Sequence, residues 1–197
     1  MNSRIQSSLS RLQEGNTRFI SGVRSVDAIA SNKKLQDLAE KGQKPFAGFI
    51  ACADSRVPAE LVFDCGLGEL FVCRVAGNIV TSEVVASLEY GVVALGTPLI
   101  VVLGHSLCGA VDAALKGKEL PTPHLNGLAR QIDTGGQKDW QAAVQHNAEA
   151  QRRRLLEMSE ELRKREKAGE IAVVSAVYDL RTGQVAFSES MDLARAA

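Results

Sequence analysis

Four apolar runs constrain this chain more than any other feature: "PFAGFIA" (45–51), "ELFVCRV" (69–75), "PLIVVLG" (98–104) and "EIAVVSAVYDL" (170–180). Each is continuous rather than alternating, which is the pattern of a strand buried on both faces of a parallel sheet. Helical segments stand between them, over residues 58–64, 82–95, 108–117 and about 140–168. Strands alternating with helices predict an α/β fold, with a central, mostly parallel sheet of four parallel strands flanked by helices. "RTGQ" (181–184) reads as a tight turn into "VAFSES", a short antiparallel edge strand.

Ahead of the first strand, Ile5, Leu9, Leu12, Phe19 and Ile20 recur at helical spacing up to Gly22, with Gly15 as a weak point, and a second helix is expected over 27–42. Residues 1–42 thus form an N-terminal helical arm on a core of 43–197, within one domain of 1–197. The arm packs either on its own core or on a neighbouring subunit, and its sequence allows both. The stretch 119–129, "ELPTPHLNGLA", reads as a Pro/Gly loop.

The chain has 197 residues, of which 45% are hydrophobic and 23% charged, as in an ordinary globular domain. Lys plus Arg equal Asp plus Glu at 23 each, so no global field gathers nucleic acid or an anionic membrane surface. No apolar run approaches the roughly 18 residues of a membrane span, and the polar start lacks the apolar stretch of a signal peptide. The expected location is cytoplasmic. Four cysteines, Cys52, Cys65, Cys73 and Cys108, are too few for a disulfide scaffold and point to burial, catalysis or metal binding.

Two strands end in chemically loaded segments: "FIA" runs into Cys52-Ala53-Asp54-Ser55-Arg56, and "VVLG" into His105-Ser106-Leu107-Cys108-Gly109. In an open parallel sheet the carboxyl ends of the strands share one edge, and ligands bind in the crevice outside it. Cys52, His105 and Cys108 then supply two thiolates and an imidazole, a donor set suited to zinc at about 2.0 to 2.3 Å. Three protein ligands leave a fourth position open, as catalytic zinc requires. Gly104 and Gly109 are expected to let the backbone turn between the strand and the next helix.

Charge suggests the role of the neighbours. Asp54 can accept a proton or orient a water, or it can occupy the fourth metal position and shut the site. Arg56, a planar two-pronged donor, is suited to holding Asp54 off the metal. Cys65 and Cys73 lie in no such arrangement and read as structural, while His124 and His146 read as solvated. Gly66-Leu67-Gly68 lacks the third glycine of a dinucleotide loop and precedes a strand instead of following one.

"CADSRVPAE", "GELFVCRVAGNIV", "SLEYGV" and "VVLGHSLCGAV" together resemble the β-class carbonic anhydrases, a likeness that runs from "RLQEGNTRFISG" to "AVYDLRTGQV". The resemblance implies reversible hydration of CO2 to bicarbonate by zinc-bound hydroxide, with one Zn2+ per subunit on Cys52, His105 and Cys108. Asp54 and Arg56 are the implied catalytic pair, and Asp54 the fourth ligand in a closed state. Gly109 N–H is the implied donor to a substrate oxygen. In plant-like members three further side chains from the neighbouring subunit form the CO2 pocket. Their positions here hold Gln43, Phe71 and Tyr90, for which a solvated loop amide and ordinary core packing are the plainer readings. The implied assembly is a homodimer or homotetramer, with no nucleic-acid or membrane partner.

Some bacterial members bind regulatory bicarbonate with a Trp and a Gly just ahead of the first zinc cysteine, together with a later tyrosine. Here those positions hold Phe49 and Ala51, with Tyr178 as the tyrosine, so the plant-like subgroup is expected and the bicarbonate switch is not. The other readings are a zinc hydrolase acting on CS2 or COS, a structural zinc module and a thiol redox protein. The last lacks the C-x-x-C pair it would use.

Overall fold

A computed structural model describes residues 2–25 and 31–188. The sheet has five strands, β1 (Ala47–Ala51), β2 (Leu70–Arg74), β3 (Leu99–His105), β4 (Ala172–Tyr178) and β5 (Val185–Phe187), in the order β2-β1-β3-β4-β5. The first four run parallel and β5 is antiparallel to β4. The helices are α1 (Ser3–Ser21), α2 (Asn32–Lys41), α3 (Ala59–Val62), α4 (Ser82–Val93), α5 (Gly109–Lys116), α6 (Pro123–Ala129), α7 (Trp140–Met158) and α8 (Glu160–Lys167). A 3-10 turn spans Ala76–Asn78.

Every residue of β1 and β3, the two interior strands between β2 and β4, is buried, which accounts for their unbroken apolar sequence. Side chains alternate between two cores. Phe49, Ala51, Val101, Leu103 and Val174 meet Leu12 of α1 and Phe63 after α3 on one face. On the other, Ile50, Ile100, Val102 and Val173 meet Val84 and Leu88 of α4, Leu155 of α7 and Leu162 of α8.

The first arm helix packs on its own core. A Cβ on Gly15 would stand 1.9 Å from the Phe63 carbonyl oxygen, so this glycine is what lets α1 lie directly against α3. Buried Asn16 donates to the carbonyls of Val62 (3.2 Å) and Gly183 (2.8 Å) and accepts from Val185 N (3.0 Å), tying α1 to α3 and to β5. By contrast α2 buries none of its residues. Its expected start at 27 lies outside the described residues, and the helix begins after the Ser31 cap.

Two expectations need correction. The helix over 140–168 is interrupted at Ser159, whose backbone is extended, whose hydroxyl accepts from Leu162 N (3.1 Å) and donates to Glu89 (2.5 Å), and which therefore ends α7 and caps α8. The Pro/Gly loop 119–129 contains α6, with Thr122 as N-cap and Pro123 at the first helical position.

Candidate metal centre

β1 and β3 are neighbours in the sheet, with Ala51 opposite Leu103, so Cys52 and His105 emerge at the same carboxyl edge. The thiol sulfurs of Cys52 and Cys108 are 4.0 Å apart, and with a ring nitrogen of His105 all three ligand atoms lie within 4.8 Å of one another. The three residues are buried, His105 completely.

The turn that brings His105 and Cys108 together is made by Leu107, not by the glycines. Leu107 takes the left-handed conformation at φ 56°, at a cost of about 1 kcal/mol that the surrounding bonds offset. Ser106 N donates to Tyr178 O (2.8 Å) and Ser106 Oγ accepts from Leu180 N (2.9 Å). Gly104 has a different use: a Cβ there would meet Val144 and Ala148 of α7 at 3.3 Å. Beside Gly109 the space is open.

Each donor is oriented from behind. His105 Nδ1 lies 2.9 Å from Ser106 O, a carbonyl that can only accept, so Nδ1 carries the hydrogen and Nε2 presents a lone pair. Nε2 is buried without a hydrogen-bond partner, an arrangement a bound cation would satisfy. Gly77 N donates to Cys52 Sγ (3.3 Å), and Trp140 Nε1 donates to Cys108 O (3.1 Å). The Cys52 thiol is pulled down, first by the hydrogen bond from Cys108, against burial, and further by the amides of Asp54 and Gly77. That same shared hydrogen bond, with burial, pushes Cys108 up. Thiols bind a metal as thiolates, so a divalent cation bound here would release the protons of the pair. Two soft sulfurs and one imidazole fit zinc.

Asp54 stands beside the cluster, with Oδ2 3.9 Å from His105 Nε2. Arg56 grips it from the other side: Nε to Oδ1 is 2.9 Å and Nη2 to Oδ2 is 2.7 Å, while Arg56 N adds a bond to Oδ1 at 2.9 Å. The Arg56 side chain is the main reason the Asp54 carboxyl is held well below the usual carboxylate range. Arg74, which sequence reasoning passed over as part of an apolar run, binds the carbonyls of Cys52 (3.0 Å) and Asp54 (2.5 Å) and so fixes the backbone between them.

A profile of the carbonic anhydrase family matches residues 47–185. The chain belongs to the β-class carbonic anhydrases. It is 39% identical over 183 residues to carbonic anhydrase 2 of Mycobacterium tuberculosis, covering 88% of this chain and 87% of the relative. It is 37% identical over 177 residues to a carbonic anhydrase of Pseudomonas aeruginosa, covering 81% and 80%. Among solved structures, a Coccomyxa β-carbonic anhydrase in complex with acetazolamide superposes with a TM-score of 0.69 at 28% identity, covering 91% of this chain and 85% of that one.

Three residues implied by the β-carbonic anhydrase likeness do not reach the cluster within this chain. Phe71 pairs with Gly48 in the register, three residues and about 10 Å before Arg74 at the carboxyl edge. Tyr90 on α4 is 55% exposed and faces Phe71, with ring centroids 6.2 Å apart, and Gln43 is exposed in the segment before β1. Cys65 is buried and pushed up to about 12 by that burial, as a structural thiol would be, and burial also raises half-buried Cys73. His124 is exposed as expected. His146 is not simply solvated: its Nε2 lies 3.3 Å from Asp133 Oδ1.

Proposed function

We propose that this chain catalyses the reversible hydration of carbon dioxide to bicarbonate and a proton, as a lyase with one zinc ion per subunit held by Cys52, His105 and Cys108. The observation that carries the reading is the buried, partnerless lone pair of His105 Nε2 facing two thiols, beside a carboxylate already engaged by an arginine. When bound, zinc supplies Lewis acidity that brings the pKa of water toward neutrality.

The rest is the work of the chain itself. Asp54 Oδ2, the carboxylate oxygen beside His105, accepts a hydrogen bond from the attacking water and so aims its lone pair at the substrate. Arg56 fixes both oxygens of that carboxylate, which keeps Asp54 from serving as a fourth ligand; without the grip, Asp54 closes the site. Gly109 N–H belongs to the first turn of α5, where helix amides lack intrahelical partners, and a Cβ on this residue would meet open space, so the amide is available to donate to a developing substrate oxygen. Burial of the three ligands keeps bulk water away from the sulfurs.

Gln43, Phe71 and Tyr90 serve a neighbouring subunit's site. Their position away from the carboxyl edge, and the exposure of Tyr90, support a homodimer as the smallest active unit, with tetramers formed from dimers. Four free thiols fit a reducing, cytoplasmic setting, and no described helix is long and apolar enough to cross a membrane. The plant-like subgroup is favoured over the bicarbonate-regulated one because Phe49 packs on Phe63 at 5.2 Å and Tyr178 is buried edge-on to Phe19 at 6.4 Å, filling that region with side chains. Steep cooperative inhibition by bicarbonate, lost in Tyr178→Phe, would contradict this.

The test is an assay of the purified chain with CO2, CS2 and COS before and after zinc removal by a chelator. CO2 hydration that disappears with the metal and returns with added zinc supports the reading. Turnover of CS2 or COS without CO2 hydration overturns it.

A further inference from the structure

Behind the metal centre two buried side chains of α7, one helical turn apart, bind the loops that back the cluster. Asn147 and Gln151 are 0% and 1% exposed. Asn147 Nδ2 donates to Gly77 O (2.9 Å), and its Oδ1 accepts from Asp133 N (3.1 Å) and from Gln151 Nε2 (3.2 Å). Gln151 Nε2 also donates to Gln131 O (2.8 Å), and its Oε1 accepts from Val80 N (2.8 Å). The pattern has one consistent orientation: turning either amide over would set an NH2 group against the Asp133 or Val80 amide.

The segment they grip is the one that touches the ligand. Gly77, whose carbonyl Asn147 holds, donates its own N–H to Cys52 Sγ. Gly77 is left-handed at φ 70°, and a Cβ there would stand 2.7 Å from Ile132 Cδ1, so Ile132 presses on it from the far side. Ile132 is in turn flanked by Gln131 and Asp133, the two residues whose backbone groups Gln151 and Asn147 bind. One pair of side chains thus fixes the donor to the sulfur and the wall behind that donor.

We propose that Asn147 and Gln151 are positioning residues for the metal centre, acting through Gly77 to hold the hydrogen bond that orients the Cys52 sulfur and slows metal loss. This rests on the zinc reading above. Partners that orient a metal ligand typically govern metal affinity by about 10- to 100-fold.

The experiment measures zinc release from the holoenzyme to a chromophoric chelator, with thermal unfolding followed on the same samples. Asn147→Asp places a carboxylate oxygen against Gly77 O while keeping shape, and Gln151→Met removes the acceptor for Val80 N at nearly constant volume. Each is expected to release zinc about tenfold faster or more. Leu12→Ala, which opens a cavity on the opposite face of the sheet, calibrates destabilisation alone and is expected to release zinc at the parental rate. The inference is overturned if both α7 variants keep the parental rate, or if release is no faster than in Leu12→Ala at equal loss of melting temperature. If one α7 variant does not fold, the other decides by the same comparison. A parent chain that carries no zinc overturns the metal reading itself, and this inference with it.

Discussion

Arg56 holds both carboxylate oxygens of Asp54, at 2.9 and 2.7 Å, while Oδ2 lies only 3.9 Å from the imidazole nitrogen of the cluster. On the zinc reading proposed above, the guanidinium and the metal therefore compete for one carboxylate. In Arg56→Ala the two-pronged grip is gone, and Asp54 is free to turn onto the metal. CO2 hydration near neutral pH is expected to fall roughly a hundredfold, the scale of a misplaced orienting group, with zinc content unchanged. Activity within twofold of the parent would show that the pair has no part in the reaction. Lys cannot reproduce a fork, so Arg56→Lys is expected to restore little.

Tyr90 and Cys52 offer a test of shared sites. If Tyr90 completes the neighbouring subunit's pocket, Cys52→Ala and Tyr90→Ala fail separately but complement when mixed and reassembled. Half of the dimers are then hybrid, each with one intact site, so roughly a quarter of parental activity returns under C2 pairing. No recovery in verified hybrids means that Tyr90 serves its own chain or none.

Gly15→Ala sets two effects in opposition. Helix propensity favours alanine by about 1 kcal/mol. The new methyl, however, would lie 1.9 Å from a backbone oxygen of Phe63, and backbone cannot swing aside as a flexible side chain does. Overpacking of this kind costs about 1 to 3 kcal/mol, and the very short contact places it at the upper end. Denaturant unfolding is expected to show net destabilisation of about 2 kcal/mol. A gain in stability would mean that α1 does not lie on α3 as described.

Asp64 is one of the carboxylates whose ion pairs contribute stability that acid removes. Burial by itself raises its carboxyl, but the hydrogen bond from Arg18 (2.6 Å), the Ser25 amide (2.9 Å) and the charge of Arg24 outweigh it and leave the group below its ordinary value. A depressed folded-state pKa contributes stability that is fully present above the unfolded value of about 3.9 and is lost as pH falls through the folded value. Asp64→Asn, which tolerates the left-handed backbone at this position, is expected to be on the order of 2 kcal/mol less stable at pH 7. The difference should shrink toward pH 3; a constant difference from pH 7 to pH 3 would contradict the ion pair.

The strands, their mostly parallel arrangement and the convergence of Cys52, His105 and Cys108 were legible because burial on both faces writes unbroken apolar runs, and because chemistry at a strand end follows such a run directly; the order of the strands in the sheet was not. Cys52, Asp54, Arg56, His105 and Cys108 all have this signature. The supporting residues do not. Asn147 and Gln151 lie on a helix whose charged residues make it read as polar, and Trp140 marks only its start. One signal was available: Asn147 and Gln151 fall on the stripe of Ala143, Val144, Ala148 and Leu155, the buried side of α7. The break at Ser159 and the helix after Thr122 escaped because capping hydroxyls also occur inside helices and loops, and only the neighbours Glu89 and Leu125 reveal which role applies. The glycines at 104 and 109 looked like turn residues, whereas tertiary bonds around Ser106 force the turn onto Leu107.

The most direct test measures bound zinc and CO2 hydration together in the parent and in His105→Ala. The site described here predicts one zinc per subunit and hydration in the parent, with both lost when the imidazole is removed. A His105→Ala chain that keeps full zinc content and full activity would contradict it.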